Sequence, residues 1–169
     1  DGSNKRADSY GGSIENRAKL MLEAVDAAIK VWGPNRVGLH LAPRRDDHDV
    51  SDSTPAQTFG YVAEQVGKRK IAFIAAREHQ GPDSLGPSLK KAFGGVYIAN
   101  EGLDAAAGQA LLDAGSADAI GFGKLFISNP DLVERLKAGA PLNDWDLRTF
   151  YAPGPEGYTD YPALETVPG

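Results

Sequence analysis

Between Ser13 and Trp32 apolar residues recur at steps of three and four, at Ala18, Met21, Val25, Ala28, Ile29 and Trp32, and Ser13 can cap the first turn. The spacing predicts a helix over 13–32, stopped by Gly33-Pro34. From Arg36 to Pro43 the period changes to two: Val37, Leu39 and Leu41 alternate with Gly38, His40 and Ala42, which predicts a strand with one bulky and one small face. A charged loop follows over 44–53. Thr54-Pro55 can then start a helix to about Gly67, and Ile71-Ala-Phe-Ile-Ala75 reads as a second strand. The alternation continues with a helix over 86–93, a strand over 95–99, a helix over 105–114, a strand over 117–121 and a last helix over 131–138. Four strands alternating with helices imply right-handed crossovers and a parallel α/β sheet, either doubly wound and open or part of an eight-stranded barrel. A closed (β/α)8 TIM barrel takes typically ~250 residues, so four strand–helix units in 169 residues amount to half of one. The chain is expected to form one half-barrel unit over 1–169: a lead-in loop over 1–12, a helix and four strand–helix units over 13–140, and an irregular Tyr-, Pro- and Gly-rich tail over 141–169.

A hydrophobic content of 41% supports a substantial core. The net charge of −5 argues against a nucleic acid or an anionic membrane as partner and leaves small molecules or proteins. With no cysteine there is neither a disulfide framework nor a thiolate metal site, and no apolar run reaches the roughly 18 residues that a membrane span requires. A reducing, cytoplasmic setting is expected. The opening Asp1-Gly-Ser-Asn, without methionine or apolar leader, is expected to lie inside a longer product.

Chemistry concentrates at Ala119-Ile-Gly-Phe-Gly-Lys124, where a strand runs into a glycine turn and a helix start. Gly121 and Gly123 leave an approaching anion unobstructed, the next turn offers free N–H donors, and Lys124 adds a positive charge; a phosphate-bearing ligand is the working expectation. The competing reading is a tight turn with an exposed lysine. Arg44-Arg45-Asp46-Asp47-His48-Asp49 could be drawn as a cation site, but a mixed-charge run reads as a solvated loop. Arg6, Asp8, Glu15 and Arg17, grouped around a helix start, suit capping and ion pairs.

The lead-in Asn4-Lys-Arg6-Ala-Asp8-Ser-Tyr10-Gly11-Gly12-Ser13-Ile-Glu15-Asn16-Arg17 resembles the old yellow enzyme family of flavin reductases. Later blocks agree in order and spacing: Arg36 to Pro43 at that family's fifth barrel strand, Phe122-Gly123-Lys124 and Asn129-Pro130-Asp131-Leu132 at its eighth, and Tyr151 with Gly157-Tyr158-Thr-Asp160-Tyr161-Pro162 at its C-terminal signature. Within the family the look is that of xenobiotic and nitroester reductases. The resemblance implies a TIM barrel holding FMN at the C-terminal ends of its strands. Hydride would pass from NADPH or NADH through the flavin to an activated alkene, nitro compound or nitrate ester. The segments that carry that family's substrate-binding pair and proton-donating tyrosine correspond to positions before Asp1. No catalytic residue is therefore expected in this half, and the expected partner, besides a small-molecule substrate, is a complementary N-terminal barrel half or a second copy of the chain.

Residue by residue, the resemblance places His40 where an arginine usually faces the flavin N1 and C2 carbonyl; the alternative is a buried histidine bonded to nearby backbone. Gly123 and Lys124 match a Gly-Arg pair at the FMN phosphate, with the lysine keeping the charge but losing the bidentate fork. Glu101 and Gly102 follow the seventh strand, where backbone N–H groups meet the same phosphate; the Glu101 carboxylate is expected to turn to solvent. Tyr151 is implied at the substrate-pocket mouth or as a rim aromatic, and Tyr158 and Tyr161 are expected to be structural. Arg77 and Glu78, ending the sixth strand, are expected to be salt-bridged. Two readings remain beside the flavin enzyme: a half-barrel module that self-associates and binds FMN weakly or not at all, and a phosphate-binding barrel enzyme that uses no flavin.

Overall fold

The computed structural model describes residues 1–44 and 50–164. They form two compact units, Asp1–Gly121 and, from Phe122 on, the C-terminal segment.

The first unit opens with α1, Ile14–Trp32, whose end is capped as the sequence suggests: Ser13 Oγ accepts the Asn16 N–H at 3.3 Å. Gly33, at φ 76°, closes the other end by donating to Ile29 O. Ala18, Leu22 and Val25 are buried and Met21, Ala28 and Ile29 partly so, but Trp32 is 63% exposed. The apolar stripe thus outruns the core by one turn, because Trp32 is the last helical residue.

Four strands follow in sequence order: β1 Gly38–Leu41, β2 Phe73–Arg77, β3 Val96–Asn100 and β4 Ala119–Gly121. All neighbours are parallel, with His40 opposite Ala75, Ala75 opposite Ile98 and Ile98 opposite Ala119. The crossovers are α2 Pro55–Lys68, α3 Gly86–Phe93 and α4 Ala105–Asp113. β2 begins two residues later than its apolar run predicts. Lys70 turns the chain through a left-handed φ of 55°, and Ile71 is buried without joining the ladder. Its apolarity marks burial rather than strand pairing.

Alternate residues of the sheet go to opposite faces. Leu41, Ile74, Ala76, Tyr97 and Ala99 share one core with Val62, Ala63 and Val66 of α2 and Leu89 and Phe93 of α3. The other face has Gly38, His40, Phe73, Ala75, Val96 and Ile98 in register, with Phe73 36% and Val96 46% exposed. Gly38 is small because the Phe73 ring lies over it: a Cβ there would stand 2.3 Å from the ring. Parallel sheets are ordinarily covered on both faces, so the packing of the first unit's described helices against one face only decides between the two architectures left open by the alternation. The sheet is a half-barrel. Full burial of such a side chain is worth about 1.5–3 kcal/mol, and Phe73 and Val96, each partly exposed, forgo a fraction of it.

In the second unit α5, Lys124–Ser128, and α6, Leu132–Ala138, are followed by a segment without helix or strand as far as residue 164. The helix start expected after Gly123 is present but short, because Asn129-Pro130 interrupts it. A polar clasp folds the tail onto these helices. Asn129 is fully buried and accepts the Asn143 N–H at 2.7 Å; Asn143 Nδ2 donates to Ser128 O; Arg135 donates to Pro141 O and Pro162 O; Asp131 accepts the Leu164 N–H. Among the described residues, no helix is long and apolar enough to cross a membrane.

Candidate functional site

The C-terminal ends of β1 to β3 carry the polar groups that the open face otherwise lacks. His40 is exposed on that face of β1, so it is not the buried, backbone-bonded histidine of the alternative reading. Arg77 at the end of β2 grips the Glu101 carboxylate with both arms, at 3.1 and 3.0 Å. The Glu101 side chain is therefore ion-paired across two strands rather than simply turned to solvent. This pairing neutralises a charge that would repel an anion.

Glu101 adopts φ 86° and Gly102 φ 69°, so the chain leaves β3 through two left-handed residues. For glutamate that conformation costs roughly 1–2 kcal/mol, while glycine adopts it freely. The His79 imidazole packs against Gly102, with Nδ1 3.1 Å from where a Cβ would stand. Asn100 Nδ2 donates to Gly121 O at 2.8 Å, and a side chain at Gly121 would crowd that amide. His79 and Asn100 are rim residues that the sequence reading did not single out. Only the strand-end rule could have pointed to them.

Glu78 is salt-bridged as expected, but from inside the fold. Its carboxylate is fully buried, accepts Ser84 Oγ at 2.8 Å, the Leu85 N–H at 2.7 Å and the Gly86 N–H at 3.0 Å, and pairs with Arg44 Nε at 2.8 Å. Arg44 Nε lies at ion-pair distance without aiming its N–H at the oxygen, while the rest of the guanidinium holds Asp83 and the His79 carbonyl. The Arg44 guanidinium pulls the Asp83 carboxyl below its ordinary range. This cluster stitches the ends of β1 and β2 to the start of α3. Beneath it, on the helix side, a cavity of about 230 Å3 is lined by Ser84, Gly86, Tyr97 and Leu111 among others. The Tyr97 hydroxyl is buried with no hydrogen-bond partner among the described residues. Burial first and the Glu78 charge second push its pKa up to about 12.

Of the remaining charged motifs, Arg6 pairs with Asp8, and Arg17 spans Gly12 O, Asp52 and Thr58, as ion-pairing and capping groups. Arg45 to Asp49 lie outside the described residues. Among the described residues no group of three or more His, Asp or Glu side chains could hold a metal ion.

In the second unit Gly123 faces open space, with nothing within 4 Å of a would-be Cβ. Lys124 is exposed, and its ammonium sits 5.0 Å from the centroid of the Trp145 ring. Trp145 in turn packs on buried Phe150, with ring centroids 6.2 Å apart. Tyr151 is 93% exposed, and the Tyr161 hydroxyl accepts the Asp146 N–H at 3.1 Å.

Residues 1–143 match the family of NADH:flavin oxidoreductases / NADH oxidases. The chain belongs to that family, the old yellow enzyme family of the sequence resemblance. Family members among its relatives include a putative 12-oxophytodienoate reductase 5 of Oryza sativa subsp. japonica, 40% identical over 98% of this chain and 47% of the relative. A probable flavin mononucleotide-dependent alkene reductase of Leishmania infantum is 39% identical over 96% of this chain and 45% of the relative. A family structure, morphinone reductase in complex with tetrahydroNAD, superposes with a TM-score of 0.92 at 43% identity, covering 97% of this chain and 46% of that one. The chain spans just under half the length of each of these family members.

Proposed function

We propose that the chain is the FMN-phosphate-bearing half of an NAD(P)H-dependent reductase of activated alkenes, nitro compounds or nitrate esters. The observation that carries this reading is the open sheet face ending in His40, Arg77, Glu101 and Gly102, in a chain whose family match runs through 1–143. The residues fit the cofactor. His40 offers an imidazole donor to the flavin ring edge, Gly102 has no side chain of its own and offers its backbone beside the His79 imidazole, and the Arg77–Glu101 pair cancels a carboxylate that would repel a phosphate. Gly123 leaves space for an anion and Lys124 supplies the cation. Glu101 is assigned a backbone contact only, and Tyr151 a place beside the substrate. When bound, FMN supplies the hydride chemistry, with NADPH or NADH as reductant; the nicotinamide analogue bound by the morphinone reductase relative supports the latter. The reading includes a cytoplasmic setting and a complementary barrel half contributing the remaining strands and the catalytic groups.

A second reading rests on the exposed Phe73 and Val96: two copies of the chain bury their open faces against each other and bind FMN weakly or not at all. An FMN titration followed by flavin absorbance and fluorescence, with mass recorded by light scattering, separates the two. Saturable binding with a perturbed flavin spectrum supports the first. A dimer without binding supports the second and a strict monomer refutes it; the first is refuted if a soluble, folded mixture with the complementary half supplied in trans shows no flavin-dependent reduction.

A further inference from the structure

We infer that Trp145 is a positioning residue that holds the Lys124 ammonium for the phosphate of the bound nucleotide, so that the irregular tail is part of the recognition apparatus. The inference deepens the FMN reading and rests on Lys124 being the phosphate cation.

A lysine following an open glycine carries four rotatable bonds and a strongly hydrated charge, so on its own it is a mobile point charge. Here the ammonium lies over the Trp145 ring at 5.0 Å, within the range at which the ring face attracts a cation. The ring is itself held. Trp145 packs on buried Phe150, the next residue's N–H donates to the Tyr161 hydroxyl, and Asn143, two residues earlier, donates its N–H to buried Asn129 and its side-chain amide to the carbonyls of buried Ser128 and exposed Pro162. A chain of fixed contacts therefore runs from the segment just after α5, through the tail, and back to the side chain at the start of α5. A tryptophan that merely covered the core would be buried, yet Trp145 is 42% exposed with its face occupied by the lysine. The ring restricts the ammonium before any anion arrives, which lowers the ordering cost of binding.

The test compares FMN with riboflavin, which has the same ring system without the phosphate, on the full chain by fluorescence titration. The wild type is expected to prefer FMN, and Lys124→Met to lose that preference by tenfold or more while its riboflavin affinity stays unchanged. Trp145→Leu is expected to weaken FMN about two- to fivefold, the size of an exposed cation–π pair, again without changing riboflavin, and Trp145→Phe to restore most of the loss. In the Lys124→Met background Trp145→Leu should add nothing. If Trp145→Leu weakens FMN and riboflavin equally, or changes neither while Lys124→Met selectively weakens FMN, the inference is overturned and the phosphate reading of Lys124 survives. If the wild type, alone and again with a complementary barrel half supplied in trans, shows no preference for FMN or binds neither flavin, both are overturned. Circular dichroism of Trp145→Phe and Trp145→Leu checks that the tail variants keep the fold.

Discussion

Glu78→Ala should be among the most destabilising single changes in the first unit, although the residue is charged and ends a strand beside a loop. The carboxylate is fully buried and serves four groups at once: Ser84 Oγ, the Leu85 and Gly86 N–H groups and the Arg44 guanidinium. Truncation leaves the Leu85 N–H without its acceptor and the Gly86 N–H with only Ser84 Oγ at 3.3 Å, at about 1–3 kcal/mol for an amide that water cannot reach and less for the one that keeps a partner. Arg44 keeps Asp83 and the His79 carbonyl, so its charge is not stranded and its share of the loss is small. Together the terms give about 2–4 kcal/mol, a large part of a typical domain's stability. Glu78→Gln keeps the shape but turns an amino group towards one of the N–H donors, and should cost about half as much. Urea unfolding followed by far-ultraviolet circular dichroism reads both, as a lowered midpoint at unchanged slope. A loss below about 1 kcal/mol for Glu78→Ala would refute the reasoning, since it would mean that water already satisfies the start of α3.

Tyr97→Phe should be neutral or stabilising by about 1 kcal/mol in thermal unfolding, because it removes a buried hydroxyl that has no partner among the described residues. The same hydroxyl titrates at about 12 in the folded chain against about 10 unfolded, so its contribution is complete below pH 10 and is lost as pH rises towards 12; the wild type should lose on the order of 2–3 kcal/mol over that window and Tyr97→Phe should not show this component. Asn129→Ala should release the tail, detected as faster proteolysis within 143–164, at a stability cost of about 2–4 kcal/mol, since the buried amide makes three bonds. Val96→Lys, placed on the open face, should leave the unfolding midpoint nearly unchanged but abolish any dimer seen by light scattering.

Elements bounded by strong punctuation could be read directly. α1 begins at a serine cap and ends at Gly33, and α3 coincides with its expected span because Gly86-Pro87 and Gly94 mark both ends. The period-two alternation from Val37 to Leu41 also placed His40 on the small-residue face, which is the open one. Ile71 and Trp32 misled for one reason: apolarity reports burial or its periodicity, and neither locates the last ladder bond or the edge of the core. Arg77 and Glu78 could be recognised as ion-pairing residues, but their partners could not. Arg77 meets Glu101 only because β2 and β3 pair in one particular register, and Glu78 meets Arg44 across a crossover. The Lys124–Trp145 contact was hidden more deeply, since the tail that brings the ring back has no period and is placed by buried amides such as Asn129. The open glycine and the lysine were visible as chemistry; the aromatic ring beneath the lysine was not.

The strand order matters for how the chain reaches this state. Because β1 to β4 lie side by side in the order of synthesis, every strand pairs with the next one to emerge, and no pairing waits for a distant segment. The connections from Ala75 to its partner Ile98 and from Ile98 to its partner Ala119 are both shorter than that from His40 to Ala75, so β2, β3 and β4 with their crossovers close at the lower entropic cost and form the natural nucleus. β1 then docks across the longer loop. Folding of this sheet should therefore be fast for a parallel architecture, with Ile74 and Tyr97 consolidated in the transition state and Leu41 joining afterwards.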